Sequence, residues 1–151
     1  LTVWDLKQQH VQSACRVLPK TTEEVSRILA ITVSENCTFA IKGGGHARYA
    51  DDSVSVGGVT IDMARMRSLD LSPDKGMVKL GSGHVLHSIY EGLDKYNLTT
   101  VGGRAGTVGL GGYALGGGIS HLSPKYGLAM DNVFEYEVSC KSLSKDIWDA
   151  D

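Results

Sequence analysis

The sequence predicts an α+β fold, and three observations predict it. A strand–helix–strand unit opens the chain, short strands separated by turns crowd its middle, and the elements mix without strict alternation. The last point disfavours a doubly wound sheet, which needs strands and helices in regular succession.

Residues 14–18 read as a short strand that ends at Pro19. Thr21 and Glu24 have the spacing of a capping box, in which each side chain satisfies a free backbone N–H at a helix start. Val25, Ile28, Leu29, Thr32 and Val33 follow at helical spacing. Residues 38–42 read as a second strand, which runs into Gly43-Gly44-Gly45-His46. Between residues 53 and 82, Val54/Val56, Val59/Ile61 and 77–80 suggest short strands, the last leading into Gly81-Ser82-Gly83. A second helix is expected over 84–96, with Leu86, Ile89, Tyr90, Leu93 and Tyr96 on one side. Phe134, Tyr136, Val138 and Cys140 alternate with polar residues, as in a half-exposed strand.

The 151 residues suffice for one ordinary domain. The formal net charge of −2 argues against a nucleic-acid or membrane-surface partner. No apolar run approaches the roughly 18 residues that would span a bilayer. The 19 glycines are clustered, which suggests backbone that a ligand approaches closely. The chain starts at Leu1 without a basic and then apolar leader, so it reads as a processed or excised piece. No group of residues has metal-ligand spacing, and no metal is expected.

Two glycine loops carry the chemistry. In Lys42-Gly43-Gly44-Gly45-His46-Ala47-Arg48, successive N–H groups can converge on an anion, with Lys42 and Arg48 adding positive potential. A diphosphate leaving water needs such a nest, because its oxygens must be hydrogen-bonded again. The bland alternative is a loose turn. In the second loop, 101–118, nine of 18 residues are glycine. The alternative there is a flexible linker, against which its interspersed Val, Leu and Tyr argue. Gly109-Leu110-Gly111-Gly112-Tyr113-Ala114 also matches G-x-G-x-x-G/A, with Asp131 lying 17 residues on as a ribose-binding acid. A nicotinamide-binding Rossmann domain needs a strand before that motif and a helix after it. The sequence provides glycine-rich segments on both sides.

Four ordered segments, PKTTEEVSRIL, FAIKGGGHARYA, GGRAGTVGLGGYALGGGISHLSPKYGLAMDNV and FEYEV, resemble the vanillyl-alcohol-oxidase type of FAD-binding domain. Within it they resemble the berberine-bridge-enzyme-like group and its fungal FAD-linked oxidoreductases of secondary metabolism. The resemblance implies a two-lobed domain of PCMH type over 14–138, after an N-terminal segment 1–13. The second lobe is then incomplete, the substrate domain is missing, and 139–151 form a divergent tail. It implies FAD as cofactor, with Lys42, Gly43, Gly44, Gly45, His46 and Ala47 on its diphosphate side. Gly106, Thr107, Val108, Gly109, Gly111 and Gly112 would face them. Gly116, Gly117, Gly118, Ile119, Ser120, Asp131 and Val133 would line the flavin and the ribityl–adenine side. His46 matches the position of an 8α-histidyl flavin bond. Some relatives have a cysteine in the second loop for a second bond, and Ala105 takes that place here, so one bond at most is expected.

The resemblance also implies a small organic substrate and O2 as electron acceptor. It names no acid or base: Asp51, Asp52, Asp62 and Glu91 read as surface charge, as do His84 and His87. His10 and His121 have no assigned role. The missing substrate domain would lie in a second chain of a split enzyme, or the chain is a fragment or a non-catalytic FAD-binding module. Cys15 and Cys37, placed on neighbouring strands, form a disulfide or stay as two buried thiols, and Cys140 reads as an apolar contact. These cysteines and the sequons Asn36-Cys37-Thr38 and Asn97-Leu98-Thr99 fit a secretory route, the alternative being the cytoplasm.

Overall fold

A computed structural model describes residues 3–140 and, as backbone, Lys145–Asp149. A short helix α1 (Leu6–Gln9) precedes strand β1 (Cys15–Val17) and helix α2 (Thr22–Ser34). Thr21 caps α2 by accepting the Glu24 N–H at 3.2 Å, while the Glu24 carboxylate accepts the Lys20 N–H at 2.6 Å. The capping-box residues therefore act as expected, with the return bond one residue earlier in the chain.

Strands β2 (Phe39–Lys42) and β3 (Val59–Asp62) complete a parallel sheet in the order β1-β3-β2. This corrects the expectation that β1 and β2 lie side by side. Val59 stands opposite both Cys15 and Phe39, so β3 runs between the two strands. Cys37 lies between the turn after α2 and the start of β2, and Cys15 and Cys37 are exposed, unbridged thiols. Neither the disulfide nor the buried pair is present. Residues 53–56 form no strand either, because side chains take their backbone groups. Gln8 Oε1 accepts the Ser53 N–H and Thr60 Oγ1 accepts that of Ser55.

A 3-10 turn (Met63–Arg65) leads to the antiparallel hairpin of β4 (Leu69–Leu71) and β5 (Val78–Leu80), and then to α3 (Leu86–Asp94). Leu86, Ile89 and Leu93 on α3 are buried. Leu69, Leu71, Val78 and Leu80 of the hairpin pack against them, together with Val108, Leu110 and Tyr113 of the second glycine loop. Each fully buried aliphatic side chain contributes about 1.5–3 kcal/mol. The glycine-rich segment is thus pinned to the core by its apolar residues, which excludes the linker reading.

That segment contains a short helix α4 (Leu110–Leu115). Helix α5 (Ser123–Tyr126), a 3-10 turn (Met130–Asn132) and strand β6 (Glu135–Ser139) follow. Strand β7 (Lys145–Asp149) pairs antiparallel with β6 in a separate two-stranded sheet. Asn36 and Asn97, the two sequon asparagines, are exposed and occupy left-handed backbone just beyond α2 and α3, at φ 50° and 56°. Asparagine tolerates that conformation better than most residues. Among the described residues no helix is long and apolar enough to cross a membrane.

Candidate functional site

The two glycine loops meet in space. A Cβ on Gly44 would stand 2.4 Å from Gly109 N and 2.8 Å from Thr107 O; one on Gly109 would stand 2.1 Å from Gly44 N. No side chain fits at either position, so backbone touches backbone across more than sixty residues of sequence. Gly45, at φ +67°, turns the first loop so that His46 follows directly on this contact.

The second loop owes its position to the segment entering α3. Leu110 N donates to His84 O at 2.9 Å, Leu86 N to Val108 O at 3.0 Å and His87 N to Gly106 O at 2.9 Å. An isolated bridge joins Val85 to Gly109. Among the described residues, those between α3 and the G-x-G-x-x-A motif form no strand, and α4 ends after six residues. A Rossmann strand–turn–helix is therefore absent from the described residues.

The two loops are rich in unbonded donors. Among the described residues, the backbone N–H groups of Gly43, Gly44, Gly45 and His46 donate to no protein acceptor, nor do those of Gly111 and Gly112. Of these six residues Gly45 alone is buried. A Cβ on Gly112 would meet nothing within 4 Å, and Ser82 O alone would lie near one on Gly43 or Gly111, at 3.7 and 4.0 Å. Bare backbone thus borders open space beside the Gly44–Gly109 contact. Such an array of N–H groups suits a diphosphate.

Lys42 reaches back to the first glycine loop, its ammonium donating to Gly43 O at 3.4 Å. It is 5% exposed, and its ammonium lies 3.3 Å from Asp62 Oδ2. Asp62, read from sequence as surface charge, is fully buried. It accepts from Arg16 Nη2 at 2.7 Å and from the Ala64 N–H at 3.0 Å. Burial disfavours the ionised carboxyl, but the Ala64 N–H and the two cations outweigh it and hold the pKa below the usual carboxylate value. Asp51, Asp52 and Glu91 are exposed, as expected.

His84 is also buried rather than on the surface. Its Nε2 stands 3.0 Å from Ser68 O and its Nδ1 2.8 Å from Ser88 Oγ. Ser88 Oγ also donates to Val85 O at 2.8 Å, so its single hydrogen is shared between that carbonyl and Nδ1 of a neutral ring that donates from Nε2. Burial lowers its pKa against the opposing bond to Ser68. His87 is exposed, 3.3 Å from Glu91.

The expected flavin-lining residues form a second cluster beyond α4. Ala129 N donates to Gly118 O and Met130 N to Gly117 O, while Gly116 N donates to Gly112 O. Tyr113 Oη donates to Ile119 O at 2.9 Å. Ser120 is buried, and its hydroxyl accepts the Leu122 N–H. Asp131 Oδ2 accepts the Leu128 N–H at 2.7 Å, so this exposed acid closes its own turn, and Val133 follows half-buried. A cavity of about 440 Å³ adjoins this cluster, lined by Tyr90, Arg104, Ser120 and His121 among others.

Two residues near His46 were missed from sequence. The Trp4 ring stacks on the His46 ring, with centroids 4.7 Å apart and planes 12° from parallel. Gln8, fully buried, donates from Nε2 to Ala47 O. Neither position has a periodic or motif signal; the partners lie about forty residues away.

A profile of the FAD binding domain family matches residues 13–142. The FAD-dependent monooxygenase tpcD of Cochliobolus heterostrophus is 41% identical over 135 residues, 89% of this chain and 26% of that protein. The FAD-dependent monooxygenase macF of Penicillium terrestre is 41% identical over 131 residues, 85% of this chain and 25% of its own. The chain therefore spans about a quarter of the length of these curated relatives. The crystal structure of 6-hydroxy-D-nicotine oxidase from Arthrobacter nicotinovorans superposes with a TM-score of 0.87 at 24% identity, covering 98% of this chain and 32% of that one. The structure of a berberine bridge enzyme variant superposes with a TM-score of 0.79 at 26% identity, covering 87% of this chain and 27% of that one.

Proposed function

The chain belongs to the FAD binding domain family, and from that premise we propose that it holds the FAD of an oxidoreductase through one covalent bond, at His46. The observation that carries this reading is the backbone contact of Gly44 with Gly109, which sets two groups of unbonded N–H donors side by side next to an imidazole.

The residues present fit the cofactor. Gly43, Gly44 and Gly45 on one side and Gly111 and Gly112 on the other offer N–H groups to a diphosphate, with space where side chains would stand at Gly43, Gly111 and Gly112. Bound FAD supplies the electron-transfer chemistry, and the protein supplies binding and orientation. Gly116–Ser120 and the turn before Val133 would line the flavin and ribityl–adenine side, as the resemblance implies. Lys42 ties the end of β2 to Asp62 and also donates to Gly43 O, at the edge of this diphosphate side.

The attachment balances with dioxygen as oxidant. A ring nitrogen of His46 would hold the flavin at its 8α carbon. The N–H hydrogen of His46 and one hydrogen of the 8-methyl group would leave with two electrons, and dioxygen would take them up as hydrogen peroxide. Ala105 has no thiol, so a second, cysteinyl bond cannot form.

The parent enzyme, on this reading, oxidises a small organic compound of secondary metabolism with O2 as electron acceptor. In the curated relatives the matched region is a quarter of one continuous polypeptide, which favours a single longer chain over a separate substrate subunit. The general acid or base then lies outside this chain.

Intact mass under denaturing conditions tests the proposal. The expected result is the mass of one FAD on the wild-type chain, absent from His46→Ala, which still binds flavin reversibly. Folded wild-type protein that takes up no FAD would sink the reading.

A further inference from the structure

We propose that Trp4, assisted by Gln8, is a positioning residue that sets the plane of the His46 ring for flavin attachment. This rests on the histidyl link proposed above and extends it to a segment outside the expected domain.

Three contacts from the N-terminal segment fall on three successive residues of the first glycine loop. Trp4 N donates to Gly45 O at 2.9 Å, the Trp4 ring lies on the His46 ring, and Gln8 Nε2 donates to Ala47 O. The Gln8 amide is anchored in turn, because its Oε1 accepts the buried Ser53 N–H at 3.1 Å. The carbonyls on both sides of His46 are thereby held, and its ring has a flat partner.

The stack has the geometry that orientation requires. An imidazole on a held backbone still has two free side-chain torsions. A near-parallel indole at 4.7 Å resists rotation of the ring out of its plane. The nitrogen lone pair that forms the new bond lies in that plane, so covering a face leaves the reactive edge open. Trp4 itself is 56% exposed, more than an aromatic residue recruited for the core would be. Gln8, by contrast, is a fully buried polar side chain that ties this loop to the backbone of Ser53.

Misorientation of a reacting group by about 1 Å costs on the order of 100-fold in rate. Losing the stack while the carbonyl contacts stay should cost somewhat less, roughly 10-fold or more. Trp4→Phe keeps an aromatic face and should retain most of the rate.

The test uses the full natural protein, produced in a riboflavin-starved host so that FAD is added at time zero. Reversible FAD binding, thermal midpoint and the rate of FAD mass gain are measured for wild type, Trp4→Ala and Trp4→Phe. The expected result is reversible binding and a midpoint close to wild type in all three, with mass gain slowed at least about 10-fold in Trp4→Ala only. Mass gain by Trp4→Ala at the wild-type rate overturns the proposal alone and leaves the histidyl link standing. Equal slowing in Trp4→Phe, or loss of FAD binding in Trp4→Ala, also overturns it, since Trp4 then supports the fold rather than the ring. Wild type that binds FAD without gaining its mass defeats the link and this proposal together.

Discussion

Gly44 and Gly109 touch through their backbones, and neither has room for a single added carbon. Alanine at Gly109 would set a Cβ 2.1 Å from Gly44 N, and alanine at Gly44 one 2.4 Å from Gly109 N. Neither neighbour is a flexible side chain that could turn away. The φ of Gly109 is −74°, which alanine adopts readily, so the penalty is contact and not backbone strain. Gly44→Ala and Gly109→Ala should each spread the loops and weaken FAD binding at least 10-fold, read by flavin titration. Binding equal to wild type would mean that the loops do not act as a unit.

Removing the charge of Asp62 should cost far more stability than removing a surface carboxylate. Arg16, Lys42 and the Ala64 N–H converge on this fully buried group at the ends of β2 and β3. Asp62→Asn keeps the shape but leaves the buried Lys42 ammonium uncompensated. Breaking one partner of a buried pair typically costs about 3–5 kcal/mol. Urea unfolding above pH 6 should show a loss of that order, with Asp51→Asn close to wild type. Because the folded-state pKa of Asp62 is depressed, its stabilisation is complete above the unfolded value near 3.8. It fades as pH falls below that value.

These two sites differ in how far the sequence reveals them. The Gly44–Gly109 pair lies in dense glycine runs, and the resemblance to an FAD-binding domain implied that the two loops face each other. Thr21 and Glu24 announce the start of α2 because capping is local. Asp62 gives no such sign: its partners stand 46 and 20 positions away, and burial of a lone acid depends on which strands become neighbours. That same choice, β3 entering between β1 and β2, is a tertiary decision invisible to periodicity. Residues 53–56 show the converse error. Their alternating valines look like a strand, but Gln8 and Thr60 side chains take the N–H groups a ladder would need. Trp4 was overlooked because a single exposed aromatic says nothing until its partner is seen.

His84 should make stability fall on mild acidification. Its pKa is lowered, chiefly by burial, so the unfolded chain takes up the proton more readily than the folded one. The stabilisation is complete above the unfolded value near 6.5 and is lost as pH drops below it, toward the folded-state pKa. One proton limits the slope to about 1.4 kcal/mol per pH unit. Urea midpoints between pH 7.5 and 5.5 should fall more steeply for wild type than for His84→Gln. FAD affinity should follow, because His84 O holds Leu110 N at the start of α4. Parallel slopes for the two proteins would remove His84 as the cause.

Gly112 separates a glycine kept for folding from one kept for a ligand. It lies inside α4, is exposed, and a Cβ there would meet nothing within 4 Å. For the protein alone, Gly112→Ala should therefore be neutral or stabilising by up to about 1 kcal/mol, the ordinary helix preference for alanine. If the neighbouring N–H groups cradle a diphosphate, the added methyl stands where the phosphate oxygens must come close. Gly112→Ala should then raise the thermal midpoint of the FAD-free protein while weakening FAD binding about 10-fold or more. The opposite signs are the diagnostic feature, since a structural glycine loses both together, as Gly44→Ala should. A Gly112→Ala protein that binds FAD as tightly as wild type would move the diphosphate away from α4.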